Sequence, residues 1–89
     1  MSPFQSGSAF AMTRDVANGY QTVTTRTFRP LTPGELNQLT FEIDRHTREL
    51  RAEMPDPSDM NAVRTRNQKI LRLVRVTRMI QQWKMERRS

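Results

Sequence analysis

The chain has 89 residues, 35% of them apolar and 27% charged, and no cysteine. That length holds at most one domain, and the composition suits long, thin helices better than a round core. The lack of cysteine excludes a disulfide framework and a thiolate metal site, and it fits a reducing, cytoplasmic setting.

No apolar run approaches the roughly 20 residues of a membrane-spanning helix, so no membrane partner is expected. The N-terminus lacks the charged start and apolar middle of a secretory signal. Residues 1–14 (MSPFQSGSAFAMTR) are hydroxyl-rich, free of acids and end in Arg, a pattern also compatible with an organelle transit segment. The net charge of +6 is unevenly placed: residues 61–89 hold nine of the fifteen Lys/Arg and a single acid, Glu86. A basic surface gathered on one segment points to a polyanionic or acidic partner.

In chain order, residues 1–19 mix Ser, Gly, Pro and Asn with scattered Phe and Met, and read as a flexible tail. Residues 20–30 begin YQTVTTRTFR, rich in the β-formers Thr, Val, Tyr and Phe. They read as an extended or strand-like arm. With no second strand in the chain, the arm would pair across a dimer, add to a partner's sheet edge or stay extended.

The segment LTPGEL (31–36) is a helix start: Thr32 as cap, Pro33 in the first turn, and Glu35 placed to reach back to the cap. Leu31 and Leu36 stand where a hydrophobic staple needs them. The helix carries a narrow apolar stripe of Leu36, Leu39, Ile43, Leu50 and Met54, with Phe41 pointing away from it. MPDPSD (54–59) ends it, because Pro55 disfavours a helical Met54, and Asp56 or Ser58 can cap the next helix. A connection this short between amphipathic helices predicts an antiparallel hairpin.

The second helix is predicted over about 58–86, about 42 Å long at 1.5 Å per residue. Its apolar arc holds Val63, Ile70, Leu73, Val74, Val76, Ile80 and Trp83, while Arg64, Arg72, Arg75 and Arg78 cluster opposite. Guanidinium groups along one side of a helix can meet successive phosphates through paired hydrogen bonds. These four, with Arg87 and Arg88 beyond them, are the candidate nucleic-acid contacts. Arg66, Lys69 and Lys84 fall at the margin of the arc, where Glu42, Glu49 or Glu53 can pair with them. Val76, Met79, Trp83 and Met85 form an apolar patch available to a protein partner or a second copy.

His46 alone, without Cys or suitably spaced acids, makes a poor metal site. No catalytic motif is present, and a helical hairpin has little concave volume to enclose a reaction. The expectation is a protein that is not an enzyme and needs no cofactor or metal.

Residues 31–85 resemble the small helical-hairpin protein of the bacterial large ribosomal subunit that lies beside the peptide exit tunnel. The resemblance rests on LTPGEL opening a mixed-charge helix to Leu50-Arg51, and on Val63-Arg64 leading to Lys69-Ile70-Leu71-Arg72. It implies ribosomal RNA held on the basic second helix, at Arg64, Arg72, Arg75 and Arg78. A fainter likeness is to the ribbon-helix-helix DNA-binding dimers, with 20–29 as the ribbon, although these helices are about twice too long for that class. The sequence thus predicts a mostly α chain: a long antiparallel two-helix hairpin over 31–88 with an extended or disordered N-terminal arm, binding RNA phosphates. The alternative is a small assembly subunit that packs its second helix into a protein partner.

Overall fold

The computed structural model describes Phe4 and residues 7–88, the side chains of Arg87 and Arg88 excepted. Four helices follow one another: α1 (Ala9–Ala17), α2 (Thr25–Phe28), α3 (Pro33–Ala52) and α4 (Met60–Arg88). The chain is mostly helical as expected, with no strand among the described residues. The N-terminal region departs from the expectation, because residues 9–17 are a helix packed on both α3 and α4.

That helix has a physical basis at both ends. Ser8 Oγ accepts the Ala11 N–H at 3.1 Å, which caps the start. Ala9, Met12, Thr13, Val16 and Ala17 recur at helical spacing and are all buried. Thr13 satisfies its hydroxyl within the helix by donating to the Ala9 carbonyl at 2.8 Å. At the C-terminus, Tyr20 N–H bonds the Asp15 carbonyl at 2.8 Å and Gly19 N–H bonds that of Val16 at 3.1 Å. This is the paired closure of a Schellman turn, and Gly19 takes the left-handed conformation it requires, with φ +80°.

The region 20–30 is not a strand. Residues 21–24 are irregular and 25–28 form one helical turn, in which Thr24 N–H donates to Thr27 Oγ1 at 3.2 Å. Burial drives the choice: an unpaired strand leaves its backbone groups without partners, whereas the turn buries Phe28 completely. The Phe28 ring lies 6.1 Å from that of Trp83, tilted by 53°.

The start of α3 is the predicted capping box. Thr32 Oγ1 accepts the Glu35 N–H at 3.2 Å, and Glu35 Oε1 accepts the Thr32 N–H at 2.8 Å. Leu31 and Leu36 are both buried. Leu36, Leu39, Ile43 and Leu50 form the buried stripe, but Met54 is 91% exposed because α3 ends at Ala52, ahead of Pro55.

In the connection, Asp56 Oδ1 accepts both the Ser58 N–H at 3.0 Å and the Ser58 hydroxyl at 2.8 Å. The cap of α4 is then Asp59, whose Oδ1 accepts the Ala62 N–H at 3.1 Å. Neither Asp56 nor Ser58 caps the helix, since Pro57 biases Asp56 to extended backbone and commits its carboxylate to the turn.

Two arginines of α4 bind the C-terminal ends of the other helices. Arg66 Nε donates to the Leu50 carbonyl at 2.8 Å and its Nη2 to that of Arg51 at 3.2 Å. Arg72 Nη1 donates to the Ala17 carbonyl at 2.9 Å. At the other end of the pair, Lys84 Nζ donates to Asn37 Oδ1 at 2.8 Å. The end of α3 therefore meets the start of α4 and the reverse, so the two helices are antiparallel. Leu73, Val76 and Ile80 of α4 close the core from the third side.

Arg72→Gln should destabilise the fold by about 1.5–3 kcal/mol, the usual worth of a hydrogen bond to a charged group. The loss should appear as a lower urea midpoint and faster amide exchange in α1. A midpoint within error of the parent's would show that the α1 contact does not depend on this bond.

Asp56 offers a pH test. The Ser58 donors, backbone first and hydroxyl second, hold its carboxyl below the ordinary aspartate value. A carboxyl lowered in this way contributes stability in full above its ordinary value and loses it as pH falls through the lowered one. An NMR titration should place Asp56 below the ordinary aspartate value, and Ser58→Ala should move it part of the way back. An ordinary Asp56 titration in the parent would contradict the turn.

Candidate nucleic-acid interface

The basic residues of α4 divide by what they touch. Arg66 and Arg72 are half-buried and bound to backbone carbonyls, and Lys84 is bound to Asn37. Arg64, Arg75 and Arg78 are exposed and, among the described residues, have no hydrogen bond or ion pair. The predicted arginine face is thus three residues rather than four, with Arg72 turned to the α1 contact. Its near neighbour is Gly19, where an added Cβ would stand 3.1 Å from the Arg72 Cζ. The side chains of Arg87 and Arg88 lie outside the described residues.

The acids of α3 do not neutralise this face. Glu42 pairs with Arg45 at 2.6 Å, Asp44 pairs with Arg48, and Glu49 lies 4.0 Å from Arg45 and 3.5 Å from His46 Nδ1. All of these partners are on α3. Among the described residues no ion pair joins an α3 carboxylate to an α4 cation, so the pairing of Arg66, Lys69 or Lys84 with Glu42, Glu49 or Glu53 does not occur. Helical spacing explains the outcome, since residues three and four apart on one helix are already neighbours.

The apolar patch proposed for a partner is largely occupied by the chain itself. Val76 is buried, and Met79 and Trp83 pack half-buried against the core that α1 and α2 complete. Only Met85, at 72% exposure, stands clear of it. Leu71 is also exposed, between Arg64 and Arg75 in sequence.

Two further features come from the N-terminal region. Arg26 and Arg29 are exposed on or beside α2, which packs on α4. They add charge beside α4. Phe10 on α1 has the Arg14 and Arg45 guanidinium groups at 5.4 and 5.5 Å from its ring centre. The signal for that cluster was the helical spacing of the apolar residues in 9–17, read as a tail.

A surface groove of about 680 Å³ runs between α3 and α4 past Phe41, Asp44, Arg51, Val74 and Arg78. His46 lies against Glu49 on the surface of α3, and among the described residues no cluster of three acids, His or Cys could hold a metal ion. No helix among them is long and apolar enough to cross a membrane.

Compared with known proteins, the chain matches no family model, no curated protein and no solved structure.

The division of the arginines can be tested by chemistry. Phenylglyoxal should modify Arg64, Arg75 and Arg78 well before Arg66 and Arg72, as read by peptide mass spectrometry under native conditions. Equal rates at Arg72 and Arg75 would contradict the contact with Ala17.

Proposed function

We propose that the protein is a non-enzymatic, cytoplasmic RNA-binding module, a component of a ribonucleoprotein, that holds backbone phosphates with Arg64, Arg75 and Arg78. The α3–α4 pair acts as the rigid helical hairpin of the module, and α1 and α2 brace it. One observation carries the reading: α4 presents cations to solvent while every paired α3 acid finds its partner within α3. The exposed arginines of α4 are therefore not tied up in ion pairs with α3 carboxylates, and a phosphate backbone is the ligand that a row of planar, permanently charged forks recognises best. RNA duplexes are read mainly through backbone and shape, which a stiff helix supporting arginines can do without a deep pocket. The likeness of residues 31–85 to the ribosomal hairpin protein points the same way.

The alternative assembly role rested on an uncovered apolar flank of α4. Val76 is buried and Met79 and Trp83 are half-buried against the core, which leaves Met85 as the exposed member of that patch and weakens that reading.

The test is a titration with structured RNA at several salt concentrations. Affinity should fall steeply with salt, and replacing Arg64, Arg75 and Arg78 together by Gln should cut the log–log slope by about 2 to 3 while leaving helicity unchanged. Absent binding, or a slope that the triple substitution does not alter, would overturn the proposal.

A further inference from the structure

Two of the chain's large exposed apolar side chains, Phe10 at 47% and Phe41 at 59%, line one cleft. It lies between the first turns of α1 and the first half of α3, and its volume is about 440 Å³. Gly34 contributes no side chain to it, while Asn37, Gln38 and Glu42 bring polar groups to its rim. Exposed aromatics set a few residues apart in sequence are ordinary, but these come from separate helices and share a cleft with amide side chains. We infer that this cleft takes one unpaired nucleobase, stacked between Phe10 and Phe41. The inference rests on the RNA reading above and extends it from phosphates to bases.

The chemistry of the rim fits that ligand. A base offers two π-faces and an edge of alternating donors and acceptors, and unpaired bases in RNA are commonly held by aromatic rings and guanidinium planes. Phe10 and Phe41 supply the aromatic surfaces, and the Arg14 and Arg45 guanidinium groups that lie against the Phe10 ring stand outside the cleft's lining. Gln38 is exposed and presents a donor and an acceptor in one amide. Asn37 accepts from Lys84 through Oδ1, which orients its amide and leaves the NH₂ group as donor.

Charge supports the same placement. Arg45 is engaged by Glu42 and Glu49 and Arg14 does not line the cleft, so the phosphates fall to the cations of the adjoining groove. Phe41 and Asn37 also border the α3–α4 groove that Arg51 and Arg78 line. A strand whose base enters the cleft can therefore carry its next phosphates along the groove toward α4. This continuity favours a nucleic acid over a lone apolar side chain of a protein partner.

The experiment titrates AMP, and ribose 5-phosphate as a control without a base, into the intact protein while following the Phe10 and Phe41 ring protons by NMR. AMP should shift both rings and ribose 5-phosphate should not. The double substitution Phe10→Leu with Phe41→Leu should lower affinity for unpaired RNA about tenfold or more, with duplex RNA unaffected. Phe41→Leu alone, at the more exposed ring, gives a smaller loss of the same kind and guards against a folding defect at Phe10. Rings unmoved by AMP, or unchanged affinity of the double variant for unpaired RNA, overturn the inference. Failure of the phosphate reading looks different: AMP still shifts the rings, but RNA affinity does not respond to loss of Arg64, Arg75 and Arg78.

Discussion

Helix ends leave carbonyls without partners, and in this protein the guanidinium groups of α4 supply them. The last turn of a helix carries a partial negative charge, equivalent to roughly half an elementary charge, so a cation there gains both hydrogen bonds and a favourable field. Arg66 meets the end of α3 and Arg72 the end of α1. The two are six residues apart on one helix, which at 100° per residue leaves them about 120° apart around its axis and about 9 Å apart along it. One helix thereby holds two others on two flanks, with both pointing the same way and both antiparallel to it. The apolar residues then have little freedom: Met12, Val16 and Ala17 from α1, Leu39 and Ile43 from α3, and Leu73, Val76 and Ile80 from α4 are all buried in a single cluster.

This arrangement sorts the positive charge of α4 by role. A guanidinium bound to carbonyls at a helix end is partly neutralised by the dipole and partly removed from water. It contributes to stability and adds little to the outward field. Arg64, Arg75 and Arg78 have neither constraint. The ion pairs of α3 run at three- and four-residue spacing along its own surface, and exposed pairs of that kind contribute only a few tenths of a kcal/mol each. Their larger effect is electrostatic. They keep the acids of α3 from reaching across to α4, so the basic side of the molecule stays basic.

Some of this was legible in the sequence and some was not, for physical reasons. The α3 start was legible because a capping box is a local device, complete within the four residues Thr32–Glu35. The stop of α3 was legible because proline acts on its immediate neighbours, whereas the cap of α4 was not, since Asp59 takes it in place of Asp56 or Ser58. The nine residues of α1 are a different case. Ser8, the spacing of Met12, Val16 and Ala17, and the Asn18-Gly19 stop are all present, but a helix that short is marginal in water and forms only against a tertiary surface. A stretch rich in Ser and Gly hides it. The β-forming residues of 20–29 misled in the opposite direction, since propensity yields to burial when one turn places Phe28 against Trp83. The role of Arg72 followed from neither pattern nor charge. A carbonyl partner 55 residues away in the chain exists only once α1 has folded, so the residue looked like one more member of a basic face.

Recognising α1 as a helix changes the functional argument and not only the topology. An apolar arc on α4 wider than the stripe on α3 needs a cover, and the width of that arc was the ground for expecting a protein partner or a second copy. The chain supplies the cover: α1 packs on both long helices, and α2 brings Phe28 to Trp83. With that area satisfied internally, the surface that remains is mixed: exposed apolar side chains at Tyr20, Met60, Leu71 and Met85, exposed arginines on α4 with two more at α2, and the exposed rings of Phe10 and Phe41. Arginines and aromatic rings are enriched at protein interfaces and also make phosphate and base contacts, so what bears on the RNA proposal is that Arg64, Arg75 and Arg78 have no ion-pair partner among the described residues.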